Sequence, residues 1–164
     1  MENLLPRRLT PPGLPAGPGE PGVPPVCALV VDDAVTASSD FTHFKTTRRA
    51  VYDAARQRAV IGPRDPSEVL LVNDRDRSVM EGSITTPYFW RNGRWTTPPV
   101  SPRCGGQAGS GGQDGTSRRW ALERALAVEE TVLVDSLADG EECWISNGVS
   151  GFRRAVVQLS KAPS

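Results

Sequence analysis

The sequence predicts an α+β fold in which strands outnumber helices. About seven short segments are rich in β-branched and aromatic residues and are bounded by turn residues, whereas two segments show helical spacing of apolar residues. Two helices are too few to cover both faces of a doubly wound parallel sheet. A chain of 164 residues is long enough for one domain with a substantial core.

Charge, apolar runs and cysteine spacing indicate which partners and ligands the chain is not expected to have. The chain has 19 basic and 19 acidic residues, so its zero net charge gives no reason to expect a nucleic acid or an anionic membrane as partner. We find no apolar run of the length that a signal peptide or a membrane span requires. The 3 cysteines have no metal-ligand spacing, so we predict no metal site and a reduced, cytoplasmic setting.

The chain divides by composition into a Pro/Gly-rich segment and a folded domain. Residues 1–25 form a tract rich in Pro and Gly, which we expect to be a disordered linker or tail that contributes little core. Residues 26–160 carry the alternating strand and helix patterns and are expected to form the folded domain.

The elements follow from periodicity and turn residues. In the first half we predict a strand at 26–31 that ends at Asp32-Asp33, a helix at 47–60, strands at 68–72 and 79–86, and a hairpin at 87–97 around Asn92-Gly93. In the second half we predict a mobile Gly-rich loop at 101–115, a helix from Thr116 to about Leu126 with Thr116 or Ser117 as N-cap, and strands at 129–137, 141–145 and 149–159.

Lys45 is the first residue with candidate chemistry. It precedes a predicted helix and is followed within one turn by Arg48 and Arg49. Neighbouring cations favour the neutral amine, which is the form that reacts to give a Schiff base. The alternative is an ordinary solvated lysine at a helix start.

Two further features carry polar groups suited to a ligand. Glu81 is a single carboxylate before Gly82 and a row of hydroxyl residues, so it is either a solvent-facing strand end or a carboxylate aimed at a ring nitrogen. Thr116 and Ser117 begin a predicted helix, where unpaired N–H groups stabilise a phosphate unless they are simply capped.

Four motifs, taken together, resemble one family. They are Lys45-Thr46-Thr47-Arg48, Glu81-Gly82-Ser83-Ile84-Thr85, Gly115-Thr116-Ser117-Arg118 and Ile145-Ser146-Asn147-Gly148-Val149-Ser150-Gly151-Phe152. Their order and spacing resemble the fold-type IV pyridoxal-phosphate enzymes, which include branched-chain and D-amino acid aminotransferases and 4-amino-4-deoxychorismate lyase. Residues 41–56 and 82–89 look most like the fungal aminodeoxychorismate lyase-like branch. The resemblance covers about residues 26–160.

The resemblance implies a fold and a set of roles. The fold would be the family's large domain, a β-rich pseudobarrel with flanking helices. Lys45 would be the Schiff-base lysine and proton shuttle, and Glu81 would keep the pyridine nitrogen of pyridoxal 5'-phosphate protonated, which makes the ring an electron sink. The phosphate would be bound by two sets of groups, the backbone amides of Ile84 and Thr85 and the helix start at Thr116 and Ser117.

The chain departs from the family pattern at three points. Ala50 stands where the branched-chain enzymes carry a tyrosine, and Thr86 stands where the family usually has asparagine. The small N-terminal domain of the family, which supplies a phosphate-binding arginine, is expected to be missing, with the Pro/Gly tract in its place.

The function implied by the resemblance is a lyase reaction on a small-molecule amino substrate. 4-Amino-4-deoxychorismate would be converted into 4-aminobenzoate and pyruvate, a step towards folate. Two alternatives stay open: a branched-chain or D-amino acid aminotransferase, and a truncated relative without catalysis. The resemblance also implies a homodimer, because the active sites of the family lie near subunit contacts.

Overall fold

A computed structural model of the chain describes residues 5–14, 27–44, 47–100 and 111–159. The strands, in chain order, are β1 (Cys27–Thr36), β2 (Ser67–Asn73), β3 (Val79–Gly82), β4 (Thr86–Arg91), β5 (Arg94–Thr97), β6 (Val128–Glu129), β7 (Glu142–Asn147) and β8 (Gly151–Gln158). The α-helices are α1 (Asp40–His43), α2 (Ala50–Arg58) and α3 (Thr116–Glu123), and a 3₁₀ helix spans Val134–Ser136. This distribution confirms the predicted α+β class.

Within the described ranges, eight strands form one mixed sheet in the order β3-β2-β1-β8-β7-β4-β5-β6. β1 is parallel to both of its neighbours, β2 and β8. Parallel strands that follow each other in the chain need a crossover connection, and α2 lies in the connection from β1 to β2. The side chains of β2 from Glu68 to Asn73 are buried, as expected for a strand covered on both faces.

The sheet curls because its two halves are tied by a short loop. β3 is an edge strand and β4 is the sixth strand of the order, yet only residues 83–85 connect them. Three residues cannot span five strand spacings of nearly 5 Å, so the sheet bends until the two strands meet. The free edge of β3 is partly covered, since the Val79 N–H donates to the Val132 carbonyl at 2.8 Å. The result is a half-barrel, which confirms the β-rich pseudobarrel.

Two segments differ from the sequence prediction. β1 continues to Thr36 and does not end at Asp32, because the buried Asp32 carboxylate is paired with Arg58 at 2.6 Å. The strand predicted at 129–137 is wrong: the structure has only the two residues of β6 followed by the 3₁₀ helix. Val132 of this segment is buried in the core, whereas its neighbour Leu133 is half exposed.

Part of the N-terminal tract packs against the sheet. Leu9 is buried against the cluster formed by Tyr88, Trp95 and Trp144. The indole N–H groups of Trp95 and Trp144 donate to the carbonyls of Leu9 at 3.0 Å and Thr10 at 3.2 Å. The expectation that this tract contributes little core is therefore wrong for residues 5–14. Two buried indoles need acceptors, and this segment provides them.

The hairpin prediction is confirmed. β4 and β5 are antiparallel, and both turn residues have positive φ, 51° for Asn92 and 77° for Gly93, as a type I′ turn requires. Phe89 and Trp95 from its two strands are buried, so the aromatic residues serve as core.

One face of α2 packs against the sheet. Tyr52 and Ala55 are buried against Val69, Leu71 and Met80 of the sheet, whereas Val51 is 39% exposed.

Among the described residues, no helix is long and apolar enough to cross a membrane.

Candidate active site

A cavity of about 880 Å³ lies at one end of the half-barrel. Its wall contains the predicted site residues Glu81, Ile84, Thr85, Thr116 and Ser117. The structural elements that contribute to this wall include α1, α2, β3 with its loop to β4, the start of α3, and the turn from β7 to β8. Lys45 lies outside the described residues, as does most of the predicted Gly-rich loop. His43 and Phe44 before Lys45 and Arg49 after it line the cavity.

Glu81, on β3, is 7% exposed and is held by two other elements. The Tyr52 hydroxyl of α2 donates to Glu81 Oε1 at 2.6 Å. The backbone N–H of Gln113 donates to Glu81 Oε2 at 3.1 Å, and the Gln113 side-chain amide donates to the Tyr52 oxygen at 3.2 Å. Because Gln113 donates to Tyr52, the hydrogen of the Tyr52 hydroxyl is directed to the carboxylate.

Burial and hydrogen bonding act in opposite directions on Glu81. Burial raises the pKa of the Glu81 carboxyl from 4.5 to about 7, while the hydrogen bonds from Tyr52 and Gln113 and the charge of Arg49 lower it. Burial, with the adjacent Glu81, also raises the pKa of the Tyr52 hydroxyl well above its ordinary value, so Tyr52 remains a donor. A carboxyl with a pKa near neutrality can share a proton with a ring nitrogen.

The loop at residues 83–85 is organised around a different carboxylate. The Ile84 backbone N–H donates to Glu68 Oε2 at 3.1 Å, and the Thr85 hydroxyl donates to the same oxygen at 2.8 Å. The Ile84 amide that the resemblance assigned to a phosphate is therefore already donated within the protein. Ile84 presents its side chain, 50% exposed, at the cavity.

The start of α3 differs from the prediction in one respect. Gly115, not Thr116 or Ser117, is the N-cap, and it makes no side-chain capping hydrogen bond. A glycine cap leaves the first-turn N–H groups without the side-chain acceptor that a Ser or Thr cap would offer. The first turn also carries no acidic residue. The helix start is thus suited to an anion in the cavity.

Three buried hydroxyls connect the core to this helix start. The Ser146 hydroxyl donates to Ser117 Oγ at 2.9 Å, and the Tyr88 hydroxyl lies 2.9 Å from Ser146 Oγ. Since Ser146 has one hydrogen and gives it to Ser117, Tyr88 must be the donor to Ser146. The hydrogen of Ser117, which lines the cavity, is then available to a ligand.

Further hydrogen bonds hold α3 and the turn from β7 to β8, which both contribute to the cavity wall. Arg118 anchors α3 by donating to the Pro98 carbonyl at 2.9 Å and by pairing with Glu129. In the turn from β7 to β8, Asn147 Oδ1 accepts the N–H groups of Val149 at 3.0 Å and Ser150 at 2.7 Å. This turn lies on the cavity wall, so an internal hydrogen-bond network shapes that wall before any ligand binds.

Sequence reasoning did not identify Tyr52 and Gln113 as site residues. The signal for Tyr52 was its helical spacing from Ala55 and Ala59, which places it on the face towards the sheet. Gln113 had no such signal, because it lies in a Gly-rich segment without periodicity. Ser146 stood inside a family motif without an assigned role.

The cavity fits pyridoxal phosphate by size and by the character of its walls. Its volume lies in the range of small-molecule sites. It has a buried carboxyl of raised pKa for a ring nitrogen at Glu81 and a helix start without a side-chain cap for a phosphate at Gly115.

Comparison with known proteins defines the family. The family model described as amino-transferase class IV matches residues 9–156, and the chain therefore belongs to the class IV aminotransferase family. The match starts within the Pro/Gly tract, at the buried Leu9.

Individual relatives include lyases and aminotransferases. The aminodeoxychorismate lyase of Saccharomyces cerevisiae is 30% identical over 145 aligned positions, covering 79% of this chain and 37% of the yeast protein. The structure of 4-amino-4-deoxychorismate lyase from Pseudomonas aeruginosa has a TM-score of 0.62 at 22% identity, covering 83% of this chain and 48% of that chain. The branched-chain amino acid aminotransferase of Thermobaculum terrenum, in its PLP form, has a TM-score of 0.64 at 16% identity, covering 80% and 43%. The chain thus spans less than half the length of each of these relatives.

Proposed function

We propose that this chain is the cofactor-binding part of a pyridoxal-phosphate enzyme whose reaction is that of aminodeoxychorismate lyase. The observation that carries the proposal is that the buried Glu81 carboxyl and the start of α3 line one cavity. The cofactor has a basic ring nitrogen and a phosphate, and these two walls match its two polar ends.

Each wall has a defined task in this proposal. Bound pyridoxal phosphate supplies an electron sink for the carbon that bears the substrate amine. Glu81 keeps the ring nitrogen protonated, and Tyr52 and Gln113 hold the carboxyl in position. Thr116 and Ser117 bind the phosphate with first-turn N–H groups and hydroxyls.

Lys45 is the proposed proton carrier. Its amine takes the proton from the amine-bearing carbon of the substrate, and the bond between the neighbouring ring carbon and the enolpyruvyl oxygen breaks. The leaving enolpyruvyl group takes the proton back at its methylene carbon and becomes pyruvate, and the ring becomes 4-aminobenzoate. The residues on both sides of Lys45, Phe44 and Arg49, line the cavity, which supports this assignment. The yeast lyase supports the lyase reaction over aminotransfer, because the likeness to the branched-chain enzyme is at 16% identity and concerns the fold alone.

Cofactor binding is tested by titrating the purified chain with pyridoxal phosphate. We expect a visible absorption band characteristic of lysine-bound cofactor, absent in Lys45→Ala and retained in Glu81→Ala. The absence of a band in the unmodified chain would favour a relative that does not use the cofactor.

The reaction is tested with two substrate sets. Release of 4-aminobenzoate and pyruvate from 4-amino-4-deoxychorismate is expected, and Glu81→Ala should nearly abolish it. Transfer of an amino group from a branched-chain or D-amino acid to a keto acid, without 4-aminobenzoate formation, would assign the chain to the aminotransferases instead.

A further inference from the structure

Glu68, on β2, is a buried carboxylate outside the set of predicted site residues. It is 2% exposed and accepts five hydrogen bonds from described residues. Oε1 accepts the Val69 N–H at 2.8 Å, the Ser83 N–H at 3.0 Å and the Ser83 hydroxyl at 2.5 Å. Oε2 accepts the Ile84 N–H at 3.1 Å and the Thr85 hydroxyl at 2.8 Å. Every partner is a donor, which matches an ionised carboxylate, an acceptor only.

Two arginines contact the same loop. The Arg56 guanidinium lies 3.7 Å from Glu68 Oε1 and donates to Ser83 Oγ at 3.1 Å. The Arg49 guanidinium donates to the Ser83 carbonyl at 2.7 Å. Glu68 is thus paired, as a buried charge must be, and both guanidinium groups also hold the loop at Ser83.

The loop leaves no spare room around the carboxylate. A Cβ at Gly82 would lie 2.4 Å from Thr85 Oγ1 and 3.0 Å from the Glu68 side chain. The Gly82 N–H donates to the Thr85 carbonyl at 2.8 Å, which closes the turn over Glu68. Successive N–H and O–H donors that converge on one point form the usual protein arrangement for binding an anion. Here the anion is part of the chain.

We propose that Glu68 is a positioning residue that fills the donor-rich loop at residues 82–85 as a built-in anion and keeps a ligand's phosphate out of it. The inference rests on the proposed function only in taking the ligand to carry a phosphate. A second anion at this loop would be repelled by the Glu68 carboxylate, which already accepts the N–H groups of Ser83 and Ile84 and the hydroxyl of Thr85. The phosphate is therefore directed to the start of α3, where the first turn has no acidic residue.

The same contacts support the ring-nitrogen wall. The loop continues directly from β3, which carries Glu81, and Arg49 joins the loop to the Tyr52 ring, 4.9 Å from its guanidinium carbon. Glu68 is therefore connected, through Ser83 and Arg49, to the ring of Tyr52. A fixed loop keeps the donor to Glu81 in place.

The test maps anions onto individual backbone amides by nuclear magnetic resonance of the full chain. With inorganic phosphate, we expect the amide signals of Thr116 and Ser117 to move and those of Ser83 and Ile84 to stay. Movement of the Ser83 and Ile84 signals in the unmodified chain would overturn the inference, whether or not pyridoxal phosphate binds.

Chemical rescue supplies the second arm. In Glu68→Ala, the Ser83 and Ile84 signals should leave their native positions, and excess acetate should return them, because acetate replaces the missing carboxylate. Acetate should leave the same two signals unchanged in Glu81→Ala, the matched control. Failure of acetate to return them in a folded Glu68→Ala chain would overturn the inference. If Glu68→Ala does not fold, Glu68→Gln replaces it. The phosphate titration of the unmodified chain then decides whether the inference stands.

This design separates the inference from the proposed function. A chain without a visible cofactor band but with acetate rescue would retain the Glu68 assignment and lose the enzyme assignment. If the chain shows the cofactor band but phosphate moves the amide signals of Ser83 and Ile84, the enzyme assignment is retained and the Glu68 assignment is lost.

Discussion

The hydroxyl of Tyr52 lies 2.6 Å from Glu81 Oε1, and this hydrogen bond joins α2 to β3 inside the cavity. The bond favours the charged form of a carboxyl whose pKa burial raises to about 7. We therefore expect Tyr52→Phe to raise the pKa of Glu81 above 7, so that less carboxylate is present at neutral pH. Titration of carbon-13-labelled glutamate measures this shift. Tyr88→Phe is the control, since its hydroxyl contacts Ser146 and not Glu81.

The raised pKa of Glu81 also predicts how the stability of the ligand-free chain changes with pH. Burial favours the neutral carboxyl, so its contribution is complete below the ordinary pKa of 4.5 and is lost as the pH rises through about 7. The free energy of unfolding should fall across this interval, and Glu81→Gln should remove that part of the fall. Denaturant titrations at several pH values measure it, and an identical slope in both proteins would contradict the assignment.

The hydroxyls of Tyr88, Ser146 and Ser117 predict a selective loss of phosphate binding. Tyr88→Phe removes the first donor, so Ser146 need no longer direct its hydrogen to Ser117. We expect the affinity for pyridoxal phosphate to fall about threefold to tenfold, as for one weakened charge-assisted hydrogen bond. The affinity for pyridoxal, which has no phosphate, should stay the same. Equal losses for both compounds would indicate a general disturbance of the cavity.

Leu9 predicts a stability contribution from the N-terminal tract. Its side chain is 6% exposed in a cluster with Trp95 and Trp144. Leu9→Ala should lower the free energy of unfolding by about 2 kcal/mol or more, as for other buried leucines. Leu14→Ala, at a side chain 53% exposed, should change it by less than about 0.5 kcal/mol. Equal effects would show that the tract does not pack in solution as described.

Two glycines of the cavity wall form a matched pair. A Cβ at Gly82 would lie 2.4 Å from Thr85 Oγ1, whereas a Cβ at Gly148 would meet no atom within 4 Å. Gly82→Ala should therefore destabilise the chain by about 1–3 kcal/mol through forced displacement of the loop. Gly148→Ala should be close to neutral. Thermal unfolding of the two variants makes the comparison, and a neutral Gly82→Ala would show that the loop adjusts freely.

Local patterns in the sequence determined much of the fold. The Asn92-Gly93 pair specified its hairpin, because only residues that tolerate positive φ fit that turn. Helical spacing located α2 and α3, and the four motifs identified the family. The structure places Glu81, Thr116 and Ser117 on one cavity, and their roles towards a cofactor stay predictions. The hairpin and helix predictions succeeded because each depends on residues a few positions apart.

The tertiary structure alone decided which groups surround the ligand space. Tyr52 meets Glu81 across 29 residues of sequence, and Leu9 accepts the Trp95 indole across 86. In the sequence, Glu68 has no feature that sets it apart from other strand residues. Its role follows from the curled sheet, which brings the loop at 83–85 over it. The physical reason is that a buried polar group takes whatever partner the packing brings within hydrogen-bond distance, and periodicity along the chain does not record that partner.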